Sequence, residues 1–122
     1  MNPLLIKAYR ALAVVAPYAI VKAGIEGVAP ASSNTDPLIG TSNSMGAPAD
    51  GLVDVVQVGL GEVVCGGIVK FGDPLTSNAD GAAITAEAEA GKAVRTIGFA
   101  MSDGVANDII PYQVAPGIIA SA

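Results

Sequence analysis

A chain of 122 residues with a formal net charge of −5 is sized for one domain, and its acidity argues against a nucleic-acid backbone as partner. Hydrophobic residues make up 52% of the chain, yet there is no Trp and charged residues are only 14%, against the ~25% usual in soluble domains. Small apolar side chains give a thin core, so part of the apolar surface is expected to be buried between subunits.

Residues 1–11 read as an extended N-terminal arm and residues 12–122 as a single β domain. The arm combines Pro3, Leu4, Leu5 and Ile6 with Lys7, Tyr9 and Arg10. Lys7, Arg10 and Lys22 face only Glu26 in the first thirty residues, whereas the remainder is strongly acidic. A basic arm on an acidic body points to a partner of its own. Its apolar side chains cannot be buried on the arm itself; a sheet edge of a partner protein, or the chain's own oligomer, would bury them. The run Ala11 to Val21 has the length of a signal-peptide apolar core, but Pro17 interrupts it and no clean small-x-small site follows. It also falls short of the ~20 apolar residues of a membrane span. No membrane partner is expected.

Val14 to Ala23, rich in β-branched residues around Pro17, suits an edge strand. Residues 27–36 read as a loop, 37–42 as a short strand and 43–51 as a second loop ending in the Asp50-Gly51 turn. Leu52 to Val58 and Glu62 to Phe71 carry the strongest strand pattern. In the second, Val63, Cys65, Val69 and Phe71 share one face at period two. The stretch Gly72 to Gly81 reads as hairpin-forming, with Pro74 removing a ladder donor and Asp80-Gly81 supplying positive φ. Strands are expected again at 82–86, 94–101 and 108–114. Residues 86–94 favour one turn of helix or a polar loop equally, since Ala, Glu and Lys are interrupted by Gly91. The fold class is all-β: a small antiparallel barrel or sandwich with an extended arm and at most one short helix. Val55, Val63, Cys65, Val69, Phe71, Ile97 and Phe99 are the expected core.

There is an internal echo. Ile39, Gly40, Ser44, Gly46, Asp50, Val56 and Gly59 recur in order, at one constant offset, as Ile97, Gly98, Ser102, Gly104, Asp108, Val114 and Gly117. Two similar strand-loop-strand units are implied, each Gly-bearing loop reversing the chain and each Asp capping a turn.

Chemistry is sparse. The chain has no His, which removes His-based acid–base and triad catalysis and the commonest zinc sites. Gly59-Leu60-Gly61-Glu62-Val63-Val64 starts like a dinucleotide fingerprint but places Val64 at the third glycine and opens no helix. Gly91-Lys92 lacks the first Gly and the Ser/Thr of a phosphate loop. Asp73, Asn78 and Asp80 lack EF-hand spacing and read as turn caps. Cys65, the single cysteine, reads as a small buried hydrophobe. No catalytic, cofactor-binding or metal residue is assigned, and the chain is read as a non-enzyme.

The Met1-to-Arg10 opening, Ala16-Pro17-Tyr18, Leu38-Ile39-Gly40, Gly72-to-Gly81, Arg95-to-Ala100 and the Pro116-Gly117 ending occur in an order that resembles the small capsid cement, or decoration, proteins of tailed bacteriophages. The resemblance implies a structural virion protein on the outer capsid surface, meeting its shell during assembly in the host cytoplasm. It would act as a homotrimer and clamp neighbouring copies of the major capsid protein. Pro3, Leu4, Leu5, Ile6, Lys7, Tyr9 and Arg10 are then the candidate capsid contacts. The alternative is a secreted or surface-displayed β adhesion module.

Overall fold

The computed structural model describes residues 3–120, with side chains described over residues 6–119. Nine strands run β1 (Pro3–Arg10), β2 (Ile20–Gly24), β3 (Gly27–Pro30), β4 (Leu38–Ser42), β5 (Leu52–Val64), β6 (Pro74–Ser77), β7 (Ala83–Thr85), β8 (Ala93–Ala100) and β9 (Ile109–Ala120). They form one curled antiparallel sheet, a half-barrel, in the order β3-β2-β4-β5-β9-β8-β6-β7, with β1 added on β5. No helix occurs among the described residues, so none is long and apolar enough to cross a membrane. Residues 86–92 take the polar-loop form; a segment this short cannot hold a helix without packing.

The arm is extended, and its backbone is laddered to this chain's own β5, from Pro3 opposite Gly59 to Arg10 opposite Leu52. Two other expectations are corrected in register. The segment expected as one loop over 27–36 contains β3, where Pro30 ends an edge strand and its missing N–H costs nothing to the ladder. The strand expected over 62–71 stops at Val64, because Gly66-Gly67 breaks the run, and residues 65–71 form a loop.

The 72–81 stretch is both strand and turn. Pro74–Ser77 is β6, and the reversal is confined to residues 78–81. There the Asn78 side-chain oxygen accepts the N–H groups of Asp80 (2.8 Å) and Ala82 (3.0 Å), and Gly81 takes φ 74°.

Two core clusters hold the sheet. The larger gathers Ile20 and Leu38 with Val63, Cys65, Leu75, Ile97, Ile110 and Tyr112; the smaller gathers Val15, Val21, Val28, Val53 and Val55. Of the expected core, Val55, Val63, Cys65, Val69 and Ile97 are buried. Phe71 and Phe99 are not, with exposures of 66% and 44%. Phe71 lies past the end of β5 in the loop. In β8 the alternation breaks at a register shift between Thr96 and Gly98, so Ile97 turns inward and Phe99 outward.

The half-barrel is a tandem duplication. Its first unit pairs β1 with β5, β2 with β3, β2 with β4 and β4 with β5. The second repeats those four pairings as β5 with β9, β6 with β7, β6 with β8 and β8 with β9. The second half of β5 thus stands to β9 as β1 stands to the first half of β5. Single bridges repeat as well: Ala11 to Val28 matches Cys65 to Ala83, and Val15 to Ala47 matches Val69 to Gly104. Gly40 and Gly98, paired by the sequence echo, share a backbone conformation at φ 154° and 147°. After that point the structural correspondence is one residue shorter than the echo: Ala47 matches Gly104, and Asp50 matches Asn107, both of the latter pair at positive φ.

A buried side-chain bond ties the two units. Thr41 Oγ1 and the Tyr112 hydroxyl lie 2.9 Å apart, both residues fully buried. Burial pushes the Tyr112 hydroxyl up to about 12, the Thr41 bond offsetting only part of this. An acid whose folded value is raised stays protonated in the native state. Its stabilisation is therefore complete below pH 10.0, the ordinary value, and is lost as pH rises from there towards 12. Tyr112→Phe is expected to cost about 1 kcal/mol at neutral pH, since Thr41 loses its partner. It should also flatten the alkaline fall in stability, which urea midpoints at pH 8 and pH 11 will measure.

Candidate functional site

The polar side chains that could have carried chemistry are engaged in holding turns. Asp73 accepts from the Lys70 N–H and the Thr85 hydroxyl, each at 3.0 Å. Asp108 caps the Val105 N–H at 3.0 Å and Asp103 caps the Phe71 N–H at 2.8 Å. Glu89 accepts from Asn34 at 2.9 Å and lies 3.7 Å from Lys92. Burial pushes the Cys65 thiol above its ordinary value, and the neighbouring Asp108 charge adds to it. A buried thiol with that bias is a poor nucleophile. Among the described residues no group of three or more His, Cys, Asp or Glu could hold a metal ion.

What the surface offers is apolar contact. Exposed large side chains occur on strands, among them Val58, Phe99 and Ile118, as well as in loops. In the first unit, Val14, Met45 and Leu52 line one shallow groove of about 600 Å³ together with Pro17 and Pro48. In the second, Ile68, Phe71, Val105 and Ile109 stand out from the corresponding loops. Backbone bonds fix those loops: Val69 and Gly104 exchange N–H to carbonyl bonds at 3.0 Å, as Val15 and Ala47 do at 2.8 and 2.9 Å. The apolar side chains are therefore displayed by rigid turns.

The predicted arm residues lie beside the first of these regions. Pro3 and Leu5 are placed by backbone pairing, while the side chains of Pro3, Leu4 and Leu5 fall outside the described ones. Ile6 is 47% exposed and borders a shallow cavity of about 210 Å³ with Tyr18, Ser42 and Val56. Tyr9 is part-buried against the smaller core cluster, and its hydroxyl donates to Gln57 Oε1 at 3.0 Å. The Lys7 ammonium sits 5.7 Å from the Tyr9 ring centre. Arg10 Nη2 meets Asp50 Oδ1 at 2.6 Å, an exposed pair worth ~0–1 kcal/mol. The structure brings Ile6, Lys7, Tyr9 and Arg10 together on one strand. The end-loop residues escaped the sequence reading, which placed Ile68 and Phe71 on one strand over 62–71 with Phe71 facing the core; the Gly66-Gly67 pair was the signal that the strand had ended.

The fold defines the class to which the chain can be compared, an all-β half-barrel made of two like units. No protein-family model and no curated protein matches the chain. Among solved structures, the head fiber gp8.5 N base of bacteriophage phi29 is similar, with a TM-score of 0.66 and 20% identity over 91% of this chain and 93% of that one. The likeness is one of fold, and it runs over almost the whole of both chains.

Proposed function

We propose that the chain is a structural virion protein of a tailed bacteriophage, a non-enzyme that binds the outer capsid surface and clamps neighbouring copies of the major capsid protein. The observation that carries this reading is the near full-length fold likeness to the base of a phage head fiber. The cement-protein resemblance of the sequence points the same way. So does a surface that displays apolar side chains, several of them on hydrogen-bonded turns where Asp103 and Asp108 serve as caps. A protein of this kind needs rigidity and contact area, not a reactive pocket. Many modest contacts repeated over a lattice yield avidity that one contact does not.

In this reading the chain works as a homotrimer, its low charge and small apolar side chains favouring burial between copies. It meets the shell in the host cytoplasm during assembly. The arm contributes to the contact, with Ile6 giving apolar contact and Lys7 and Arg10 steering the approach.

The test is co-sedimentation with expanded, DNA-free shells of the phage that encodes the chain. Saturable binding that raises the temperature at which the shells burst is expected. Ile6→Asp combined with Lys7→Glu should weaken binding by about tenfold while leaving the melting temperature of the free protein unchanged. A protein that stays in the supernatant at every concentration contradicts the reading.

A further inference from the structure

The tandem duplication supplies an internal control for residues of the first unit. The Ser42 N–H bonds to the Ala19 carbonyl at 2.9 Å, and the Ala100 N–H to the Asp73 carbonyl at 2.9 Å. Tyr18 therefore stands in the first unit where Gly72 stands in the second, and both have left-handed backbones, at φ 57° and 91°. Glycine adopts that conformation freely, whereas a residue with a Cβ adopts it at a cost. The second unit has the glycine; the first keeps a tyrosine against its backbone preference. Strain of this kind gathers where a side chain has a task.

Tyr18 lines the shallow cavity of about 210 Å³ beside the arm, together with Asn43, Glu62 and the apolar Ile6, Val56 and Leu60. Small-molecule sites usually hold about 300–1,000 Å³, so this one has room for a single side chain. Glu62 is half-buried and takes part in none of the ion pairs among the described residues, and no basic residue lines the cavity. A second carboxylate stands at the rim, where Asn43 Nδ2 donates to Asp54 Oδ2 at 3.2 Å. The second unit lacks both ring and rim. The Asn43 N–H bonds to the Asp54 carbonyl as the Met101 N–H bonds to that of Pro111, so Met101 and Pro111 fill the places of the polar pair. The Tyr18 ring and the Asn43–Asp54 pair are additions to the repeat, not requirements of it.

We propose that this cavity is a receptor for one arginine side chain, presented by the shell subunit to which the molecule binds. A guanidinium is planar and weakly hydrated. It packs on a tyrosine ring, forks a carboxylate with two N–H groups, and trails a methylene stem that an apolar lining covers. The charge of the occupant follows from that of the cavity: a half-buried carboxylate, a second one at the rim and no cation in the lining attract a cation and repel an acid. A copy of this chain is poorly equipped to supply it. Arginine occurs here only as Arg10, paired with Asp50 at 2.6 Å, and as Arg95, half-buried in β8. The chemistry of the cavity stands on its geometry, whereas the source of the arginine rests on the capsid reading above.

Two measurements test it. In the first, the free protein is titrated with N-acetylarginine methylamide and followed by NMR. Saturable shifts at Tyr18 and Leu60 are expected, and Glu62→Gln should weaken this binding by about tenfold. No saturable shift in the parent, or equal binding by Glu62→Gln, overturns the proposal whatever happens on shells. In the second, Tyr18→Gly and Glu62→Gln are compared with the parent on expanded shells. Tyr18→Gly should melt no lower than the parent, since it takes the residue of the second unit, yet each variant should bind the shells about tenfold more weakly. Glu62→Gln should also lose part of the parent's salt dependence. Either variant binding the shells as the parent does overturns the proposal while the capsid reading stands. A parent that takes the arginine amide but ignores the shells keeps the receptor and removes the capsid reading. Oligomers of the parent that Glu62→Gln dissolves would overturn the shell as the source and assign the cavity to a second copy.

Discussion

Gly98→Ala is expected to destabilise the protein by about 3–5 kcal/mol, enough to leave little folded chain at 37 °C. Gly98 sits at φ 147°, a conformation that residues with a Cβ rarely adopt. A Cβ there would collide with the Gln113 carbonyl oxygen and crowd the Ala115 nitrogen at 2.9 Å. Both are backbone atoms of β9, so no side-chain rotation relieves the clash. The residue also stands at the register shift that turns Ile97 into the core. Gly40 is its counterpart in the first unit, at φ 154°, with the Val56 carbonyl in the same blocking position. Gly40→Ala should therefore produce a loss of the same order. Denaturant midpoints followed by circular dichroism will measure both. A loss in only one of the two would break the equivalence of the units.

Leu75→Ala is expected to cost about 3 kcal/mol, within the range for a large side chain deleted from a tight core. Leu75 is fully buried, and its strand is held between β7 and β8, opposite Thr85 and Gly98. Both neighbours are themselves fixed in the ladder, so the cavity cannot close by a local shift. Leu52→Ala is the contrasting substitution. Leu52 is 74% exposed, and its truncation should change stability by less than about 0.5 kcal/mol. The same residue type is thus structural at one position and free for contact at another. A midpoint shift at Leu52 as large as that at Leu75 would show that the end loops are part of the core.

Much of the sheet was legible because period-two patterning and turn residues are local signals. Leu52 to Val58, Val94 to Met101 and Asp108 to Val114 were readable as strands, and the structure has β5, β8 and β9 over them. The Gly59-Leu60-Gly61 junction was harder. Gly59 takes φ 95°, yet the strand continues, since β5 exchanges partners there, from β1 through Gly59 to β9 from Leu60 onward. That continuity depends on residues remote in sequence, and no local pattern reports it. For the same reason the extended form of residues 3–10 was visible but their pairing with β5 was not.

The duplication was legible at its glycines. Gly40 and Gly98 are forced by a conformation that recurs in both units, so identity survives there when the surrounding side chains differ. The contact surface was not legible. Phe71 looks like core until the chain is known to leave the sheet at Gly66. Alternation did separate the buried Val69 from its exposed neighbour Ile68, but it did not report that both stand in a loop.

An electron cryo-microscopy map of the mature head tests the central claim most directly. Density for the nine-stranded half-barrel is expected on the outer shell surface, resting on neighbouring copies of the major capsid protein. A head whose outer surface carries no such density, with the protein recovered from the medium instead, would contradict it.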